Sequence, residues 1–174
     1  MQAQYASSGL RRTVKAILVV NIHNHPHVLV TSDANGFLDL PGGRLRANET
    51  EIEGLTRKLT NRMNPLDPSL AVQWQVGECL GVFWRPNFEK LVFPYLPPHV
   101  TRPKEVIKIF MVALPETCHF QVPENWSIRA VPFFQLYDNA HEYGPILSAL
   151  PNLISRLHLT LTTENTGTEA KEEE

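Results

Sequence analysis

Apolar and polar positions along this chain recur with two different periods, and each change of period marks an element. Residues 13–22 are β-branched or apolar almost throughout and predict a strand, and residues 27–31 predict a second. Asn24, His25 and Pro26 fall between them as a turn. A polar loop follows at 32–36 with Asn35-Gly36 as its turn signal, and residues 37–40 form a short strand. The period then lengthens. Ile52, Leu55, Leu59 and Met63 recur at intervals of three and four, the buried stripe of an amphipathic helix. Thr50 is placed to cap that helix and Glu53 to answer it in a capping box. Gly54 weakens a helix interior, so its presence implies close packing against a sheet. Asn64-Pro65 ends the element. Residues 71–84, 91–95, 106–114, 120–122 and 128–136 read mainly as strands. From Gly144 the helical period returns through Ile146, Leu147, Leu150, Leu153, Ile154 and Leu157, with Pro151 kinking or dividing the helix. Residues 1–10 read as a flexible leader, 11–159 as a single domain and 160–174 as a disordered acidic tail. Strands around one helix, with another helix at the end, argue for an α/β or α+β sandwich.

Composition changes this picture little. A chain of 174 residues, 43% hydrophobic and 20% charged, has room for one core without disulfides. Cys79 and Cys118 are too few for a disulfide framework and fit small side chains in a reducing compartment. The first eight residues are mostly polar or small, and the first strong apolar run, 16–20, is far too short to cross a bilayer. Neither a signal peptide nor a membrane partner is therefore expected. The formal net charge is -2; five glutamates against Lys171 put -4 in residues 160–174 and leave the rest near +2. Contact with nucleic acid would then rest on a local pocket more than on a general field.

The stretch that carries chemistry is Leu40-Pro41-Gly42-Gly43-Arg44-Leu45-Arg46-Ala47-Asn48-Glu49, which runs straight into the helix. Gly42 and Gly43 alone make a tight turn. With Glu49 and Arg57 in register, the span from Gly43 to Arg57 resembles the Nudix box, the loop-helix-loop that holds magnesium or manganese against a diphosphate. Such chemistry needs several carboxylates on one helix face, because hard divalent cations take oxygen ligands. Lys58, Asn61 and Arg62, spaced by three and four, share one side of the helix. Three glutamates there would carry -3, whereas these side chains carry +2. Glu49 and Arg57 are expected to brace the loop, Glu53 is taken up by capping, and Glu51 alone is a weak metal site. The box reads as degenerate, with no metal or other cofactor, a site for binding rather than turnover. Lys58 and Arg62 read as solvated helix residues or, more sharply, as phosphate contacts.

Beyond the box, Trp84-Arg85-Pro86-Asn87-Phe88-Glu89, Pro103-Lys104-Glu105, Leu136-Tyr137-Asp138-Asn139-Ala140 and Tyr143-Gly144-Pro145-Ile146 resemble the small Nudix-fold subunit of pre-mRNA cleavage factor I. Leu10-Arg11-Arg12-Thr13-Val14, Leu40-Pro41-Gly42-Gly43, Glu53-Gly54-Leu55 and Leu150-Pro151 extend the likeness over residues 10–158. The resemblance implies a Nudix-type α/β/α sandwich with a mixed sheet and a C-terminal helical segment. It also implies a nuclear, non-hydrolytic homodimer in pre-mRNA 3′-end processing that binds single-stranded RNA containing U-G-U-A. Its other partners would be a larger subunit with an RNA-recognition-motif domain and further 3′-processing proteins. On matching positions, Phe37 would stack an unpaired base, and Tyr143 with Gly144 would read a base edge. Arg12 would contact phosphate or a dimer partner. Lys15 stands at the RNA site where the family has an acidic residue, and Asp39 where it has a lysine. Leu38 replaces a second aromatic. Only ten residues precede Arg11, so a base-reading N-terminal segment is expected to be missing.

Trp84, Arg85, Phe88 and Tyr95 are expected to form a partner surface, while most other aromatic residues serve sheet faces and core. His23, His25 and His27 alternate as zinc ligands could, but Pro26 interrupts the geometry, and they read as exposed hairpin histidines. Cys118 and His119 are strand neighbours that point to opposite faces, which argues against a catalytic pair. Two other functions stay open: a protein-interaction scaffold without RNA specificity of its own, and an atypical Nudix hydrolase of nucleoside or dinucleoside polyphosphates.

Overall fold

The computed structural model describes residues 2–115 and 117–158. The elements in chain order are α1 (Gln2–Ser8), β1 (Arg11–Ile22), β2 (His25–Ser32), β3 (Leu38–Asp39), β4 (Gly42–Arg44), α2 (Glu51–Met63), β5 (Gln75–Arg85), β6 (Glu105–Ala113), β7 (Ser127–Pro132), α3 (Phe133–Leu136) and α4 (Ala140–Ile154). A 3-10 turn at Pro68–Leu70 precedes β5. Strand β1, apolar from Ala16 to Val20, is the centre. It runs parallel to β6 along one edge and antiparallel to β4 and then β2 along the other. The sheet order is β3-β2-β1-β6-β5, with β4 on β1 and β7 on β2.

Alternation along β1 divides the core into two. Val14, Ala16 and Leu18 face α2, where Leu55, Leu59 and Met63 cover them together with Phe110 and Val112 of β6. Ile17 faces the other way, with Ile107 and Ile109, under Leu136 of α3 and Leu147, Leu150 and Ile154 of α4. Helices on both faces of a mixed sheet make the α/β/α sandwich that the sequence predicts. Each of these fully buried aliphatic side chains stabilises the fold by about 1.5–3 kcal/mol.

Several elements differ from their sequence reading. The leader is helical at Gln2–Ser8, with the Tyr5 ring edge-on to Phe88 at 5.7 Å and the Lys104 ammonium 4.1 Å from its centre. The first hairpin turns at His23-Asn24, both at positive φ (51° and 61°), which leaves His25 and Pro26 paired in β2. Ile52 is 55% exposed although it shares the angular position of the stripe, because periodicity fixes a side of the helix and not how far the sheet reaches along it. Gly54 packs on Leu45 and Glu49 of the box loop rather than on the sheet. Residues 91–95 contribute a single bridge between Trp84 and Phe93, and residues 120–122 form no strand, although Phe120 stacks on Trp74 at 6.2 Å. Pro132 ends β7, so residues 133–136 turn into a short helix. The break in the last helix is at Gly144 (φ 80°), where Pro145 opens the second segment, and Pro151 lies within it. Residues 159–174, including the acidic tail, lie outside the described residues.

The loop that enters α2 is fixed at both ends. Gly42 and Gly43 pair with Lys15 and Val14, and a Cβ on Gly42 would lie 2.2 Å from the Val14 carbonyl oxygen and 2.8 Å from Lys15 Cα. Gly42 also sits at φ 149°, a conformation open to glycine and strained for other residues. At the far end, Glu49 accepts hydrogen bonds from Arg57 Nε (2.5 Å), Arg57 Nη2 (2.7 Å) and the Arg46 N–H (2.8 Å). Thr50 and Glu53 complete a reciprocal capping box.

Two outcomes follow. Gly42→Ala should lose about 3 kcal/mol or more in denaturant unfolding, because neither β1 backbone atom can move aside. For Glu49, hydrogen bonds from Arg57 and then Arg46 pull the carboxyl from 4.5 down to about 2. A lowered folded-state value contributes stability above pH 4.5 that is lost as pH falls toward about 2. Melts across that window should show a shallower acid limb for Glu49→Gln than for the native chain; equal limbs would remove Glu49 from the acid response.

Candidate functional site

The box helix presents Glu51, Lys58 and Arg62 along one side, spaced by seven and four. Each carboxylate that survives near it already has a partner. Glu49 is held by Arg57. Glu51 takes Lys108 of β6 at 2.7 Å and has Arg12 of β1 at 4.0 Å. Glu53 closes the cap. Positions 58, 61 and 62 add an ammonium, a neutral amide and a guanidinium. Among the described residues no three of His, Cys, Asp or Glu converge on a possible ion. The donor set therefore does not fit a divalent cation, which would meet net positive charge where it needs oxygen ligands.

Lys58 and Arg62 are both half-buried and held in place. The Lys58 stem lies across Gly43, with Cε 3.2 Å from where a Cβ would stand. The Arg62 guanidinium stacks 5.0 Å over the Trp126 ring. Burial, and then the charges of Arg62, Arg57 and Arg46, push the Lys58 ammonium below its ordinary value, against the opposing pull of Glu49. Arg46 and Trp126 are additions to the sequence-derived set. Arg46 could have been found from its place three residues before Glu49, whereas no local signal links Trp126 to Arg62.

Of the residues proposed for RNA, Tyr143 packs on the opposite core. Phe37 is 68% exposed on a loop closed by its own N–H and that of Asn35 to the Asp33 carboxylate, both at 2.9 Å. Leu38, next in sequence, packs on the core beneath α4, as does Tyr143. The two rings, Phe37 and Tyr143, make no ring contact with each other. Burial, followed by the charge and hydrogen bond of Glu142, raises the Tyr143 hydroxyl above its ordinary value, and Arg129 opposes this. Arg129 is exposed, lies opposite Val30 in β7, and was missed because nothing in the sequence ties it to Tyr143. A side chain at Gly144 would meet nothing within 4 Å, so the backbone there is open.

Two of the expected RNA residues are placed differently. The Lys15 ammonium is directed at Asp39, and its side chain is only 11% exposed against 39% for the aspartate. Their outer face is thus acidic rather than basic. Arg12 lies on the α2 face beside Glu51, away from Phe37, Lys15 and Tyr143.

The expected partner surface also divides. Arg85 is internal bracing: its Nε donates to Glu105 at 2.9 Å and its Nη1 to the Glu89 carbonyl at 2.6 Å. Glu105, 5% exposed, also accepts from the Thr13 hydroxyl at 2.6 Å. Trp84 is half-buried and bridges Phe93. Phe88 and Tyr95 remain exposed, at 38% and 57%, and Tyr95 edges a groove of about 400 Å³ with Leu91, Phe93, Pro97 and Val100. Of the alternating histidines, His23 is in the turn, His25 packs edge-on to Phe134 at 6.5 Å, and His27 Nδ1 lies 2.8 Å from the His25 carbonyl.

A family model for Nudix proteins, described as a nucleotide hydrolase, matches residues 1–157. The chain is 46% identical over 161 residues to the pre-mRNA cleavage factor Im 25 kDa subunit 2 of Arabidopsis thaliana, covering 92% of this chain and 80% of that protein. Subunit 1 from the same plant is 45% identical, with 92% and 72% covered. The cleavage and polyadenylation specificity factor subunit 5 of Dictyostelium discoideum is 44% identical over 157 residues, with 90% and 78% covered. A solved Ap4A hydrolase of C. elegans superposes with a TM-score of 0.55 at 13% identity over 84% of this chain and 97% of that one, a likeness of fold alone. The emptied metal face sets the chain apart from a metal-binding Nudix box, while identity over nine-tenths of its length shows its kin: it belongs to the Nudix-fold family of small pre-mRNA cleavage factor Im subunits.

Proposed function

We propose that this chain is a non-catalytic, nuclear subunit of the pre-mRNA 3′-end cleavage and polyadenylation machinery. In that role it binds single-stranded RNA with a U-G-U-A-like preference, pairs with a second copy, and holds a larger subunit bearing an RNA-recognition motif. The observation that carries this reading is the fate of the box carboxylates. Glu49, Glu51 and Glu53 are each committed to a protein partner, and positions 58, 61 and 62 bring none. Kinship with cleavage factor Im subunits supplies the process.

For RNA, the supporting geometry is an exposed ring on a hydrogen-bonded loop. Phe37 is presented without a prior ordering step, so a stacked base loses little entropy on docking. Tyr143 and the open Gly144 backbone then read the base edge, and Arg129 meets a phosphate. Asp39, not Lys15, presents the charge at the neighbouring position, and Lys15 acts by holding it. Phe88 and Tyr95, with the apolar groove beside Tyr95, favour a second reading in which the chain is a scaffold and leaves RNA to its partner.

Short RNAs containing U-G-U-A, titrated against scrambled versions at physiological salt, should bind more tightly. Phe37→Ala should weaken the preferred RNA by about tenfold, the lower part of the ~1–3 kcal/mol range for one stacked base. Equal affinity for both RNAs, or none, would leave the scaffold reading. With magnesium and a dinucleoside polyphosphate, turnover should stay at background; enzyme-like rates abolished by changes at the box would overturn the non-catalytic reading.

A further inference from the structure

One stretch of chain builds the groove beside Tyr95. Its lining residues run from Pro86 to Val100, all within the strap that joins β5 to β6. Neither the sheet nor a helix supplies a wall, so the shape of the groove is the shape of the strap. The neck and middle of the strap are fixed by the main fold. The Lys104 N–H donates to the Arg85 carbonyl at 2.8 Å, and the Arg11 N–H to the Lys104 carbonyl at 3.0 Å. Val92 is buried in the core that α4 covers, and Phe93 bridges Trp84. The first limb of the strap is held differently. Asn87 through Leu91 are all exposed, and Asn87 and Leu91 both line the groove. Two short-range bonds shape this limb: the Glu89 N–H donates to the Asn87 side chain at 3.1 Å, and Arg85 Nη1 to the Glu89 carbonyl at 2.6 Å.

Helix α1 reaches this limb from outside. The half-buried Tyr5 ring meets the Phe88 ring edge-on, with centres 5.7 Å apart and planes at 84°. The Lys104 ammonium lies 4.1 Å from the centre of the Tyr5 ring and 5.3 Å from that of Phe88. One cation thus serves two rings and ties the first limb of the strap to its last residue. Among the described residues Lys104 forms no ion pair with a carboxylate, so no acid draws its charge away from the rings. Helix α1 gives no described residue to either core. Gly9, at φ 69°, closes it with an N–H bond of 2.9 Å to the Tyr5 carbonyl, and the Ser8 hydroxyl accepts from Arg44 at 2.8 Å. Seven residues are too few for a stable helix on their own, since isolated helices under about 12 residues are marginal in water. The docking of Tyr5 and the persistence of α1 are therefore one event, and neither core depends on it.

We infer that α1 is a latch on the strap, with Tyr5 as its bolt and Lys104 as its catch. With Tyr5 seated, Phe88 holds the first limb in place and the groove has its observed shape. With Tyr5 released, α1 unwinds, the limb opens and the groove loses the wall that Asn87 and Leu91 supply. The coupling runs both ways: whatever favours a seated α1 favours the formed groove by the same factor. Removing the charge of Lys104 weakens the hold on both rings at once and leaves the two cores as they are. The latch rests on the geometry of these three side chains, so it stands or falls apart from RNA binding at Phe37 and from what fills the groove.

The test is NMR relaxation on the full chain, with hydrogen exchange in β1 and β6 as the control for the fold. Asn87 through Leu91 should have backbone order parameters near the rigid value of about 0.85 in the native chain. Tyr5→Ala should lower them toward about 0.6, together with those of residues 2–8, while β1 and β6 keep their protection from exchange. Lys104→Gln should act in the same direction. Tyr5→Phe and Lys104→Arg should keep the native values, because the ring and the charge both remain. The double variant Tyr5→Ala with Lys104→Gln should loosen the limb no more than the stronger single change, as expected when both break one device. A limb already mobile in the native chain would overturn the inference. So would a limb that stays rigid when Tyr5→Ala unwinds α1, or Lys104→Arg behaving as Lys104→Gln does. Protection lost throughout β1 and β6 in Tyr5→Ala would also overturn it, since Tyr5 would then support the whole fold and not the strap.

Discussion

The close approach of Gly42 to the Val14 carbonyl positions the rest of the box. It lets β4 lie against β1, which sets the loop beside the central strand and drops α2 onto one face of the sheet. The same strand carries the opposite core on its odd side, so a shift of β1 would disturb both helical layers together. Glu49 then ties the loop to the second turn of α2 through Arg57, and Gly54 admits Leu45 and Glu49 against the helix where any side chain would collide. None of these contacts calls on Lys58, Asn61 or Arg62 for support. The architecture of the box and its ionic face are therefore separable, which is how a helix can keep its seat while its charge reverses.

How much of this was legible in the sequence depended on the range over which each signal acts. The capping box at Thr50 and Glu53, the brace between Glu49 and Arg57, and the strand at residues 13–22 are set by neighbours a few residues apart, and the structure has each of them. Signals that depend on where another element ends did not. Ile52 has the right angle for the core and lies beyond its cover. Residues 91–95 have strand composition, yet only Phe93 finds a partner, since Trp84 is the one strand residue within reach. The hairpin turn fell one residue early because His23 and Asn24 both accept a left-handed backbone, a demand that Pro26 obscured. Residues 2–8 look polar and loose, but Tyr5 packs against Lys104 and Phe88, which are distant from it in sequence.

The site residues follow the same division. Phe37 was singled out by the family resemblance alone, since its place in residues 37–40 reads locally as a strand, and the Asp33 carboxylate that fixes its loop is four residues away. Arg129 and Trp126 were missed because each comes near its partner only through the fold, Arg129 acting by charge on Tyr143 and Trp126 stacking under Arg62. Arg85 shows the converse. It sits in a distinctive string and looks like a surface contact, yet Glu105 claims it for the interior. A charged residue's role is thus set less by its own exposure than by whether the fold already contains its counter-charge.

That criterion separates two places where this chain departs from the charge pattern expected of it on resemblance. At Lys15 and Asp39 the resemblance places an acid and a lysine the other way round, and the structure brings the exchanged pair together, so the fold contains the answer to the change. At Lys58 and Arg62, where a metal-binding box would use carboxylates, the side chains are cations, and among the described residues neither forms an ion pair with an acid. An exchange settled within the fold leaves a matched pair whose outer member is Asp39. On Lys58 and Arg62, laid against Gly43 and Trp126, the positive charge is met only by the more distant pull of Glu49 on Lys58, so this face of α2 stays basic.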